Sequence, residues 1–120
     1  WARGWPGVGA CVLDSLVVDG AGQAVASAAL QPSSALVIED VVTWAPAESE
    51  AGVIAKLDRD GRLVWAPRWA RADMKLAVGP TGAIYMAGSF AGALSFGAEA
   101  ALNLDAGTDG EDVYVARARP

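Results

Sequence analysis

The chain contains no histidine and one cysteine among its 120 residues, and these absences restrict the chemistry open to it. Without an imidazole there is no Ser-His-Asp or Cys-His arrangement to activate a nucleophile, and one Cys with no His supplies no zinc constellation. No catalytic residue, metal site or cofactor is assigned. Cys11 has no partner for an internal disulfide, so stability must come from packing, and its apolar setting, Gly9-Ala10-Cys11-Val12-Leu13, favours a buried, inert thiol over a reactive one. Basic side chains are also scarce. Nine Lys and Arg against 14 Asp and Glu give a formal charge of -5, with no local basic cluster, so the electrostatic footprint of a nucleic-acid binder is missing and anionic membranes are disfavoured. No uninterrupted apolar run approaches the ~18 residues of a spanning helix, so no membrane insertion is read. The chain opens at Trp1 without an initiating Met, which leaves room for a targeting segment removed or lying upstream.

Helical periodicity is lacking too, because no window of about a dozen residues keeps an i, i+3, i+4 apolar stripe free of Gly or Pro. What is present is strand and turn chemistry: 53% hydrophobic residues, rich in Val, with 14 Gly. The chain reads as all-β, and it reads as written twice. Trp1-Ala2-Arg3-Gly4-Trp5 returns as Trp65-Ala66-Pro67-Arg68-Trp69, a period of about 60 residues of the kind found when one supersecondary unit stacks on its own copy.

Four blocks recur in order. Lys75-Leu76-Ala77-Val78, the turn Gly79-Pro80-Thr81-Gly82 and Ala83-Ile84-Tyr85-Met86-Ala87 form a predicted hairpin that corresponds to Ser15-Leu16-Val17-Val18, Asp19-Gly20-Ala21-Gly22 and Gln23-Ala24-Val25-Ala26-Ser27. A third strand, Val53-Ile54-Ala55-Lys56-Leu57, matches Tyr114-Val115-Ala116-Arg117-Ala118, down to the basic residue after Ala. The turn Asp58-Arg59-Asp60-Gly61 then leads into a fourth strand from Arg62 to Trp65. The expected organisation is a first repeat over residues 1–69, with an orphan N-terminal strand, and a second over residues 70–120. Each is a four-stranded meander, the second lacking its own outer strand. Residues 31–51 fit less well, and Val41-Val42-Thr43-Trp44 reads as an inserted or drifted strand.

The phrases Val53 to Trp65, Leu76 to Phe90 and Gly110 to Arg117 resemble the β-propeller repeats of large bacterial secreted or surface-exposed proteins, the SBBP type. The resemblance implies a β-propeller-like fold in which each blade hides its faces against its neighbours. It also implies an extracellular or cell-envelope location and a binding or structural role. Two blades alone leave two apolar sheet faces open, which predicts a homo-oligomer or a part of a larger propeller. Because a terminal blade is commonly completed by both chain ends, Trp1 to Trp5 could pair beside Val113 to Ala118.

The candidate chemistry is thin. Asp58 with Asp60, and Asp109 with Glu111 and Asp112, sit in Gly-containing turns, where Asp normally bonds nearby backbone N–H groups. Asn103 to Gly110 resembles a calcium loop but carries Gly107 where a ligand is expected and lacks the bidentate Glu, so it reads as a turn. Trp1, Trp5, Trp65 and Trp69 recur at equivalent places and suit packing between blades, while an exposed Trp would suit stacking on a sugar or a partner's apolar side chain. Trp44, which has no counterpart and precedes Ala45-Pro46, is the leading contact residue, with Trp5 and Trp69 as further ligand-binding candidates. The function expected is a non-enzymatic binding or structural module with a protein or glycan partner. The alternative is a lectin-like carbohydrate binder.

Overall fold

The computed structural model describes residues 1–48, 50–66, 68–69, 74–91, 93–95, 103–105 and 110–118. Among the described residues thirteen strands run in chain order. They are β1 (Gly7–Val8), β2 (Cys11–Val18), β3 (Ala24–Leu30), β4 (Ala35–Ile38), β5 (Val41–Trp44), β6 (Ala51–Leu57), β7 (Leu63–Trp65) and β8 (Arg68–Trp69). The second half contributes β9 (Lys75–Val78), β10 (Ile84–Ala91), β11 (Ala93–Ser95), β12 (Asn103–Asp105) and β13 (Glu111–Ala118). There is no helix among the described residues, and every pairing is antiparallel.

The first sheet has the order β2-β3-β6-β7, with β8 continuing the outer strand beside β6. The second has the order β9-β10-β13. Their registers coincide: Val17, Val25 and Lys56 lie side by side across the first sheet as Ala77, Tyr85 and Arg117 do across the second. Between its second and third strands each sheet emits a hairpin, β4–β5 from the first and β11–β12 from the second. The stretch around Val41 to Trp44 is therefore an insertion, and the insertion recurs. The repeating unit is a meander carrying a hairpin, which short, poorly matched strands concealed in the sequence.

One turn type closes the hairpins β2–β3, β6–β7 and β9–β10. In Asp19–Gly22, Asp58–Gly61 and Gly79–Gly82 the fourth residue is a Gly at φ 77 whose N–H donates to the carbonyl of the first. Asp19 Oδ1 also accepts from the N–H groups of Ala21 and Gln23, and Asp58 Oδ1 from those of Asp60 and Arg62, so the turn carboxylates serve the backbone.

The two sheets pack face to face. Strand alternation sends Val25 and Ile54 of the first sheet toward Ile84, Met86, Phe90 and Tyr114 of the second, with Met74 between them. Phe90 and Tyr114 meet edge to face at 6.3 Å. Polar links fix the seam: Ser27 Oγ donates to the Met74 carbonyl, and the Leu76 N–H donates to Ser15 Oγ. Trp65 packs at the edge of this cluster, as its place in the repeat predicts.

The opposite face of the first sheet, through Leu30, Val53 and Ala55, is covered by Leu36 and Ile38 of the hairpin β4–β5 and by Ala45, with Trp5 and Cys11 at its margin. β3 and β6 are consequently buried on both faces. Among the described residues the second sheet exposes Val113 and Val115 on its outer face, while in the first sheet exposed apolar side chains gather on β2, at Val12, Leu13, Leu16 and Val18. Cys11 is half-buried, its Sγ 3.6 Å from the Ala35 carbonyl oxygen.

The N-terminus departs from expectation as well. Trp1 to Trp5 does not lie beside Val113 to Ala118. Trp1 Nε1 donates to the Arg59 carbonyl and Arg3 Nε to that of Gly61, while β1 pairs with β4 and the Val37 N–H donates to the Pro6 carbonyl. The reason is reach. Pro6 is anchored to the hairpin layer, and six extended residues span about 20 Å, which two layer spacings of ~10 Å each consume before the chain could turn along β13.

Candidate functional site

Three places carry features beyond packing. The first is the open face of the second sheet. Antiparallel register puts Tyr85 beside Arg117, Ala87 beside Val115 and Ser89 beside Val113, on the side turned away from Ile84, Met86 and Tyr114. Val113 is 83% and Val115 77% exposed, and the Arg117 guanidinium lies over the Tyr85 ring at 6.0 Å, an arrangement in the cation–π range. Their counterparts in the first sheet are Gly52 and Ile54, and Ile54 is 1% exposed because the second sheet sits on it. The same lattice of positions is buried once and open once.

The second place is a cavity of about 310 Å³ where the turns Asp19–Gly22 and Gly79–Gly82 converge at one end of the sheets. Lys56, on β6, reaches it from the inner face, and its Nζ stands 3.8 Å from Asp19 Oδ2, both side chains more than nine-tenths buried. Gln23 and Thr81 complete a wall of donors and acceptors. A neutral, hydrogen-bonding recess results, with no aromatic surface to stack a ring.

The third is a groove of about 200 Å³ lined by Arg3, Trp5, Pro6, Val37 and Glu39. Glu39, at φ 53, turns its carboxylate to accept the Leu63 N–H at 3.0 Å. An indole edge, a guanidinium and a carboxylate thus border one concavity.

Of the tryptophans named from sequence, Trp5 alone has a described side chain at a concavity. Trp44 pairs through its backbone with Ala35 on β5, and Trp69 with Gly52 on β8; the side chains of both lie outside the description, and no described contact brings them to Trp5. Asp109 and Gly107 of the calcium-like loop also lie outside the described residues. Among those described, no three His, Cys, Asp or Glu side chains converge as a metal set would. The Asp19–Lys56 pair was missed in the sequence, although a signal existed in the basic residue that follows Ala in both third strands.

Fold and surfaces together define an all-β protein of antiparallel sheets stacked face to face, none closed on itself. No family model, curated protein or solved structure matches the chain.

Proposed function

We propose that the chain is a non-enzymatic, β-propeller-type repeat module, two blades long, of a secreted or envelope-associated bacterial protein, and that it works by offering the open face of its second sheet to a further β-sheet. One observation carries the reading: positions that the second sheet buries in the first are repeated, in the same register, on the second sheet's own open face. A stack built by one rule has a next place to fill. The partner is accordingly protein, from another copy or a further repeat, and neither nucleic acid nor a cofactor enters. Tyr85→Glu puts a charge on the central strand of that face. The expected result is that the wild-type chain associates in light scattering after size exclusion and that Tyr85→Glu is monomeric with an unchanged β circular-dichroism spectrum. Equal masses for the two proteins overturn the reading.

A lectin-like role is the second reading, and the groove at Trp5 favours it, since an indole beside Glu39 and Arg3 offers both a stacking surface and hydrogen-bonding groups. Selective binding on a glycan array that Trp5→Ala abolishes and Tyr85→Glu leaves intact would install it in place of the first.

A further inference from the structure

We propose that the small layer β1–β4–β5 is a cap: it closes the outward face of the first sheet to any further sheet, so that the module takes its partner on the second-sheet side alone. The inference rests on the repeat-module reading above and adds at which end the stack stops and what stops it.

The two sheets spend equivalent positions on different neighbours. Val25 pairs with Lys56 as Tyr85 pairs with Arg117, and counting along the strands from those pairs puts Leu30, Val53 and Ala55 in the places of Phe90, Tyr114 and Ala116. Phe90, Tyr114 and Ala116 belong to the cluster built on Val25 and Ile54 of the first sheet. Leu30, Val53 and Ala55 meet Leu36 and Ile38 of the hairpin β4–β5 instead, together with Ala45. The hairpin layer stands on the first sheet where the first sheet stands on the second.

A further sheet and this layer cannot share one face. Packed sheets sit about 10 Å apart, so a sheet approaching over β3 and β6 meets the backbone of the layer first. This holds for a neighbouring copy and for a repeat elsewhere in a longer chain alike. The layer is closed on itself, the Ala45 N–H donating to the Ser34 carbonyl and the Val37 N–H to the Pro6 carbonyl. It is tied to the first sheet where Glu39 Oε1 accepts the Leu63 N–H at 3.0 Å. What it leaves exposed on this face is a row along the edge strand β2, Leu13, Leu16 and Val18, kept to one side by the irregularity between Leu13 and Ser15.

Nor does the layer offer a replacement surface. Its strands have two to four residues, and its hairpin turns at the exposed acidic pair Glu39-Asp40, features that discourage a further sheet. An array of stacked repeats needs such an end to stay soluble. With the layer gone, the face it covers could take the open face of another copy's second sheet, a head-to-tail contact that closes a ring or continues as a filament.

The test removes the hairpin and keeps both sheets. Leu30 lies opposite Ala51 across β3 and β6, so residues 31–50 can be replaced by Asn-Gly, a two-residue turn suited to joining antiparallel neighbours. The shortened chain is expected to keep a β circular-dichroism spectrum and to show, in light scattering after size exclusion, at least twice the wild-type mass at equal concentration, rising with concentration. A folded shortened chain of wild-type mass overturns the proposal. Loss of the β spectrum overturns it too, because the layer would then belong to the core and not cover a finished face. Adding Tyr85→Glu to the shortened chain should lower its mass again by removing the head-to-tail contact. If the mass stays high with Tyr85→Glu present, the uncovered faces meet each other, and the cap stands while the module reading falls.

Discussion

Ile54 occupies the centre of the seam between the two sheets, and replacing it with Ala probes whether that seam holds the molecule together. The side chain is 1% exposed and shares a cluster with Val25, Ile84 and Met86. Ile54→Ala removes a methyl and an ethyl group. At ~0.8 kcal/mol per buried carbon the transfer loss alone is about 2.4 kcal/mol. The flanking β3 and β6 backbones are locked in a seven-residue ladder, so the walls cannot collapse fully and a cavity term adds to the loss. The flexible Met86 side chain can recover part of it. A total near 3–4 kcal/mol follows, inside the range of about 2–5 kcal/mol seen for such truncations. For a chain of this size that lowers the melting temperature by roughly 10–15 °C. Urea unfolding followed by circular dichroism, at one fixed protein concentration because association shifts apparent stability, gives the value. Leu16→Ala is the internal control. Leu16 lies on the same sheet but is 58% exposed, and its loss should stay within about 0.5 kcal/mol. If Ile54→Ala costs less than about 1 kcal/mol, the two sheets do not pack on each other as described.

Two further perturbations test the turns. Lys56→Met leaves the Asp19 carboxylate buried beside an apolar chain and should cost about 3 kcal/mol, whereas Lys56→Met with Asp19→Asn should recover much of it; a double-mutant cycle with no coupling would mean that the 3.8 Å pair is not formed in solution. Gly22→Ala and Gly61→Ala both force a side chain to φ 77, at about 1–2 kcal/mol each. At Gly61 the added Cβ would also come within 2.8 Å of the Trp1 ring, while at Gly22 only Arg59 Cβ is near, at 3.9 Å. Gly61→Ala is therefore the costlier change, and the difference should vanish in a Trp1→Ala background; equal costs with Trp1 present would place the indole elsewhere.

Turn chemistry made much of the fold legible. Asp19-Gly20-Ala21-Gly22 and Asp58-Arg59-Asp60-Gly61 specify hairpins locally, because an Asp carboxylate can reach the N–H groups two and four residues on and a Gly can take the left-handed conformation. Gly79-Pro80-Thr81-Gly82 makes the same turn without a carboxylate, a Cβ at Gly79 falling 2.9 Å from the Tyr85 ring. The longer strands were legible through their apolar spacing. Of the hairpins β4–β5 and β11–β12 only β5, Val41 to Trp44, stood out as a strand, since strands of three or four residues carry too little alternation to register as a period.

The candidate site divides along the same line. That Trp5 belongs to a recurring aromatic pair is written in the chain; that it borders a groove with Glu39, while Trp65 packs at the margin of the seam between the sheets, follows from which layer each strand joins. Lys56 and Arg117 occupy one repeat position and have opposite fates, one buried against Asp19 and one spread over Tyr85. The sequence by itself determined the longer strands and the turns between them, which depend on contacts between near neighbours. The tertiary structure decided which face of each sheet is covered, because burial depends on what stacks there and not on the pattern of either strand alone.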